Sequence, residues 1–161
     1  ISAAPRQASG YVALGALYRE LNEPQRALEV YEAGSRWAGR DEALWLGLAA
    51  TLQALGQHER ALTALRQLHA LDPGARAGLA ALADATEARG SFVEALAARR
   101  ALVDLLSREP TSEAVTAALT EQRARVRALS YLLGGAERVR GKPACAPEQV
   151  SVVRRALARC P

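Results

Sequence analysis

The sequence lacks methionine and has a single phenylalanine, and aromatic residues fill only 4% of its 161 positions. Because half of the residues are nevertheless hydrophobic, we expect a core built from leucine, alanine and valine. Alanine and leucine have high helix propensity, so this composition favours helices. No run of about 18 apolar residues occurs, which predicts that no segment spans a membrane.

Motifs of catalysis and metal binding are also missing. There is no glycine-rich phosphate loop, no Gly-x-Ser-x-Gly elbow and no His-Glu-x-x-His. His58 and His69 are the two histidines, and neither lies near a cysteine at zinc-finger spacing. We assign both to packing or to the surface. The sequence therefore predicts a protein that is not an enzyme and takes no cofactor, metal or small-molecule substrate.

Cysteine is scarce, with Cys145 and Cys160 near the end of the sequence. Two cysteines in an exported bacterial protein usually form a disulfide. A helix predicted over 147–159 would be roughly 20 Å long, whereas a disulfide needs Cα atoms about 4.4–6.8 Å apart. Either that helix is shorter and the chain folds back, or the thiols stay separate.

The first residue is not methionine, and no signal peptide is visible. We expect the chain to begin after a processing site or to be a domain of a larger protein.

Basic residues are almost all arginine, since Lys142 is the only lysine, and they are unevenly distributed. Residues 1–121 hold 12 basic and 15 acidic groups, whereas residues 122–161 hold 9 basic and 2 acidic groups. A basic C-terminal part can attract acidic partners, lipid headgroups or nucleic acid. A solvated helix face explains the same arginines, and we favour that interpretation.

What the sequence does contain is a period of 34 residues. Ala27, Ala61 and Ala95 are spaced by this interval, and each closes a similar phrase, as in Gly56-Gln-His-Glu-Arg-Ala61. A period of this length is typical of a helix-turn-helix repeat.

Other positions recur in the same register, at spacings of three and four that indicate one face of a helix. They are the large residues Tyr11, Trp45 and Leu79, the leucines Leu14, Leu48 and Leu82, and the small residues Gly15, Ala49 and Ala83.

These residues resemble the tetratricopeptide repeat, most closely through Trp45, Leu48-Ala49, Ala61 and Pro73. The resemblance covers about residues 8–109, after an N-terminal extension at 1–7. It implies an all-α fold, a right-handed α-solenoid of three repeats (8–41, 42–75 and 76–109) with C-terminal capping helices at 110–161. In the third repeat Thr86 and Arg99 replace large apolar residues, so we expect its outer face to be partly solvated or differently packed.

Breaks at Asn22, Gly39, Gly56, Pro73-Gly74 and Gly90 predict the helix limits, with Asp41 and Ser91 as N-caps. The predicted helices span 8–21, 24–38, 42–55, 58–71, 75–89 and 92–107.

After Pro110 the period fails, and Thr111 or Ser112 can cap a long helix to about Leu133. Its apolar residues have heptad-like spacing with Gln122 in one slot, at Val115, Leu119, Val126, Leu129 and Leu133. We favour a helix that covers the last hairpin, and the alternative is a dimer seam. The predicted state is a monomer or a weak dimer.

The resemblance also implies a concave groove lined by the first helix of each repeat. The predicted lining residues are Val12, Ala16, Arg19, Leu46, Ala50, Gln53, Ala80, Asp84 and Glu87. Chaperone adaptors of this family hold a C-terminal carboxylate here, but Ala16 and Ala50 stand where that clamp has asparagine, so we do not transfer this function.

A floor of small side chains suits an amphipathic helix or an extended apolar segment of a partner, with Asp84 and Glu87 facing a basic group. The alternative occupant is the chain itself, through residues 111–133 or the C-terminal tail.

We therefore predict a non-catalytic interaction scaffold that works in a bacterial envelope assembly or secretion system, periplasmic or envelope-associated, with a cytoplasmic location as the alternative. Two other functions stay open. One is the interaction domain of a larger enzyme or export protein. The other is a binder of anionic surfaces or nucleic acid, which is disfavoured because Tyr131 is the only aromatic residue after Phe92.

Overall fold

Helices make up most of the structure. The computed structural model describes residues 8–37 and 40–139, and within these ranges it contains helices and no strand. The seven helices of the described residues are α1 (Ala8–Glu20), α2 (Pro24–Trp37), α3 (Glu42–Ala54), α4 (His58–Leu71), α5 (Arg76–Arg89), α6 (Phe92–Leu106) and α7 (Glu113–Val139). The all-α prediction is confirmed, and the limits of the first six helices agree with the predicted limits to within one residue.

The same turn joins the two helices of each predicted repeat. Asn22, Gly56 and Gly90 have φ angles of 57°, 72° and 83°, a left-handed conformation that glycine adopts readily and asparagine tolerates. In each turn the next N–H group donates to a carbonyl five residues earlier, which satisfies a free helix end. These bonds run from Glu23 to Tyr18, from Gln57 to Leu52 and from Ser91 to Thr86, each over 2.8 Å.

The starts of α3 and α6 differ in how they are capped. The Asp41 carboxylate accepts from the N–H of Leu44 over 2.9 Å, so its predicted N-cap role is confirmed. Ser91 also occupies an N-cap position, but its side chain makes no capping hydrogen bond. The predicted N-cap position of Ser91 is confirmed.

The described residues divide into two compact units, one ending at Ala85 and the other beginning at Thr86. In the first unit α1 packs on α2, α2 on α3 and α3 on α4. The recurrent alanines Ala27 and Ala61 are buried there, as is Tyr31.

In the second unit α7 covers α6. Leu129 packs with Ala95 and Leu96, and Phe92, Val126 and Leu133 pack around them. Ser112 caps α7 by accepting from the N–H of Val115 over 3.2 Å. The prediction that a long helix covers the last hairpin is confirmed, and α7 continues six residues beyond its predicted end at Leu133.

Several predictions concern residues outside those described. They are the extension at 1–7, the break at Gly39, the short helix at 147–159 and the pairing of Cys145 with Cys160.

Candidate partner-binding groove

In the first unit, the predicted groove residues lie beside the core face of their helices. On α1, Tyr11 and Gly15 are buried, whereas Val12 and Ala16 are half-buried and Arg19 is exposed. The pattern repeats on α3, where Leu48 and Ala49 are buried, Leu46 and Ala50 are half-buried and Gln53 is exposed. On α5, Ala80 is half-buried and Asp84 is exposed. These side chains are thus partly accessible on three first helices.

A single tyrosine sets the spacing of α1 and α3. The ring of Tyr31 lies against the backbone of both Gly15 and Gly47, and a Cβ atom added at Gly15 would be only 2.5 Å from its Cζ atom. Because the two glycines have no side chains, α1 and α3 can both contact the ring of a residue on α2. This packing holds the helix that carries Val12 and Ala16 beside the helix that carries Leu46 and Ala50.

The start of α5 is joined to α3 by a carboxylate. Glu42, in the first turn of α3, accepts from the N–H of Gly78 over 2.9 Å, which satisfies one of the free N–H groups at the start of α5. Leu68 of α4 packs on Gly78, where a Cβ atom would lie 2.6 Å from its Cδ2 atom. The first turns of α5 are therefore fixed next to α3 and α4, and Ala80 follows directly.

Glu87 has a different role from the one predicted. Its carboxylate accepts from Nε of Arg99 over 2.7 Å, and only 12% of its side chain is exposed. Arg99 also donates from Nη1 to Oε1 of Gln122 over 2.8 Å. A carboxylate engaged in this way inside the second unit is not an open site for a basic ligand group, so Glu87 is removed from the candidate groove.

The outer face of the third repeat is differently packed and is not solvated. Thr86 has no exposed surface and Arg99 is 1% exposed. Of the two predicted alternatives, partial solvation or different packing, the second is observed, because Arg99 finds its partners within the unit. The sequence did contain one sign of this pairing, because Gln122 is a polar residue at a core position of the neighbouring helix α7.

Among the described residues there is no group of three or more histidine, cysteine, aspartate or glutamate side chains that could hold a metal ion. His58 is exposed and His69 is half-buried. Within the same ranges, each helix is too short or too polar to cross a membrane.

The turns, the buried alanines and the packing around Tyr31 are features of a helical repeat. The comparison of the sequence with known families leads to the same conclusion. Residues 42–85 match the family model of the tetratricopeptide repeat. This stretch is a tetratricopeptide repeat. The match covers α3, α4 and most of α5, and it includes Leu46, Ala50, Gln53, Ala80 and Asp84. The family resemblance predicted from the sequence is confirmed.

Solved structures of similar fold include secretion chaperones and a tetratricopeptide domain. The Yersinia enterocolitica type III secretion translocator chaperone SycD is 19% identical, with a TM-score of 0.62 over 75% of this chain and 88% of that chain. PcrH in complex with the chaperone binding region of PopD is 21% identical, with a TM-score of 0.62 over 76% of this chain and 90% of that one; PcrH comes from Pseudomonas aeruginosa.

The third similar structure is the first tetratricopeptide domain of Spaghetti (RPAP3), bound to an HSP90 peptide. It is 17% identical, with a TM-score of 0.58 over 76% of this chain and 95% of that one. At these identities the likeness concerns the fold. A comparison with curated protein sequences gave no significant match.

Proposed function

We propose that this protein is a non-catalytic interaction scaffold that binds an apolar segment of a partner protein in the groove of its first helices. One observation carries the proposal: small or apolar side chains occupy the half-exposed groove positions of α1, α3 and α5. They are Val12, Ala16, Leu46, Ala50 and Ala80.

Small side chains leave room for the backbone of a ligand and for its own apolar side chains. Burial of one leucine or phenylalanine of the ligand would contribute about 1.5–3 kcal/mol, so several such residues are needed to exceed the cost of association, which is about 4–15 kcal/mol. An amphipathic helix or an extended apolar segment supplies them.

The solved structures of similar fold support a peptide ligand. PcrH was solved with the chaperone binding region of PopD, SycD with a peptide of the translocator YopD, and the Spaghetti domain with an HSP90 peptide. The two secretion chaperones among them support the proposal that this protein works in a bacterial secretion or envelope assembly system. A terminal carboxylate should not be required of the ligand, because alanine replaces the asparagines of the carboxylate clamp at Ala16 and Ala50.

Site-specific photocrosslinking tests the proposal. A benzoylphenylalanine at Ala50 should crosslink a partner in a lysate of the source organism, and the same group at Ala70 should not. Ala70 is the matched control because it is exposed on α4, a second helix of the repeat. The captured protein is identified by mass spectrometry, and its crosslinked segment is made as a synthetic peptide.

The peptide then gives the decisive comparison. Ala50→Arg should weaken its binding at least about tenfold, while Ala70→Arg leaves the affinity unchanged and amidation of the peptide terminus has no effect. Equal crosslinking at both positions, or equal affinity of both arginine variants, would show that the groove is not the binding surface.

A further inference from the structure

The face that α7 turns towards α6 has a heptad pattern, which fits its neighbour in more than one register. Its members follow one another at alternating spacings of four and three: Val115, Leu119, Gln122, Val126, Leu129 and Leu133. A heptad is two helical turns, so a shift of α7 by seven residues moves the helix by about 10 Å and presents the same kind of face again. Apolar contacts alone therefore specify the register of α7 weakly.

One shifted register preserves most of the apolar contacts. In the observed register Leu129 packs against Ala95 of α6. Gln122 lies one heptad earlier, and its Oε1 atom accepts from Nη1 of Arg99 over 2.8 Å. A shift of α7 by seven residues towards the start of α6 would place Gln122 in the position of Leu129 and Val115 in that of Gln122. The remaining positions would exchange one apolar residue for another.

The connection between α6 and α7 is long enough for this shift. The ends that it joins are nearly level, because Leu106 and Glu113 lie at similar distances along the chain from the pair of Arg99 and Gln122. Neighbouring helices lie about 8–10 Å apart, and a chain from Leu106 to Glu113 can span about 23 Å when extended. A displacement of α7 by about 10 Å is therefore within its reach.

We propose that the hydrogen bond between Arg99 and Gln122 sets the register of α7. In the shifted register the guanidinium of Arg99, which is 1% exposed, would lose this acceptor and face Val115. The amide of Gln122 would then lie against Ala95 and its apolar neighbours. A buried polar group that loses its partner is costly, and one polar residue in an apolar heptad can specify a single register for this reason.

Glu87 holds the donor of this bond in place from α5. Its carboxylate accepts from Nε of Arg99 over 2.7 Å, which directs the guanidinium so that Nη1 can reach Gln122. Because the contact between Glu87 and Arg99 does not involve α7, it is the same in both registers. The choice between the registers therefore depends on Gln122.

Double electron–electron resonance on the full chain tests this inference. Spin-labelled non-natural residues replace Val93 of α6 and Ala117 of α7, which are both exposed. These sites lie near the starts of two antiparallel helices, so the shifted register brings them closer by up to about 10 Å. The wild type should give one distance. Gln122→Leu should add a second, shorter distance, because leucine fits both positions.

Gln122→Glu is the matched control, because its carboxylate also accepts from Arg99 and should preserve the single distance. A second test combines Glu87→Leu, Arg99→Leu and Gln122→Leu, which removes the buried charges as well and should show both distances. Circular dichroism verifies that each variant is folded. The inference is wrong if either folded leucine variant keeps the single distance of the wild type, or if Gln122→Glu gives two distances. Loss of folding in both leucine variants would also overturn it, because we expect mixed registers and not an unfolded unit.

Discussion

Arg99 donates from Nε to a carboxylate oxygen of Glu87 over 2.7 Å, inside the second unit, with only 1% of the arginine side chain exposed. Removal of a charge from water is costly unless the charge is paired and hydrogen-bonded. Glu87 provides the charge and Gln122 a further acceptor. One arginine thus connects α5, α6 and α7 where an ordinary repeat would have an apolar residue.

Removal of this arginine should destabilise the second unit strongly. Arg99→Leu leaves the Glu87 carboxylate buried without its cation, and breaking one partner of a buried pair costs about 3–5 kcal/mol. Urea denaturation followed by circular dichroism measures the free energy of unfolding.

A triple variant provides the control for this prediction. When Arg99, Glu87 and Gln122 are all replaced by leucine, no buried charge remains, and most of the stability should return. If Arg99→Leu alone unfolds at the urea concentration of the wild type, the pair does not stabilise the unit.

The capping residues Asp41 and Ser91 should differ in their response to alanine. Asp41→Ala removes the hydrogen bond to the N–H of Leu44 and should cost about 0.5–2 kcal/mol. Ser91→Ala should change stability little, because the serine side chain makes no capping bond. Thermal melts of both variants measure the difference, and an equal loss for the two would contradict it.

The turn at Asn22 offers a stabilising change. Its φ angle of 57° is one that glycine adopts without a steric cost, whereas other L-residues lose about 1–2 kcal/mol there. Asn22→Gly should therefore be neutral or slightly stabilising, while Gly56→Ala in the equivalent turn should destabilise by about 1 kcal/mol. The midpoints of urea unfolding rank the three proteins, and a stabilised Gly56→Ala would be the contrary result.

Local sequence signals were sufficient for the helices. A residue suited to a left-handed turn recurs at Asn22, Gly56 and Gly90, and the alanine five positions later is buried each time. These are short-range effects of backbone geometry and side-chain size, so they can be read from one chain. The half-exposed positions Ala16 and Ala50 follow from the same periodicity.

Pairings between distant residues were harder to predict. The bond between Arg99 and Gln122 depends on the register of α7 against α6, which the period does not determine because it fails after Pro110. Glu87 was assigned to the groove from its position on the helix, but its carboxylate binds Arg99 instead.

Gly15 permits a close contact with the ring of Tyr31, and its substitution should affect both stability and binding. Gly15→Ala places a Cβ atom 2.5 Å from the Tyr31 ring, and Tyr31 is 1% exposed and cannot move away freely. Overpacking of this kind costs about 1–3 kcal/mol, more than the gain of about 1 kcal/mol in helix propensity. Gly10→Ala is the control, because a Cβ atom there meets nothing within 4 Å; it should stabilise α1.

Since Tyr31 also sets the spacing of α1 and α3, Gly15→Ala should weaken binding of the crosslinked peptide while Gly10→Ala preserves it. Unfolding curves and peptide titrations of the two variants give the comparison. Equal stability and equal affinity would mean that the ring does not control the groove.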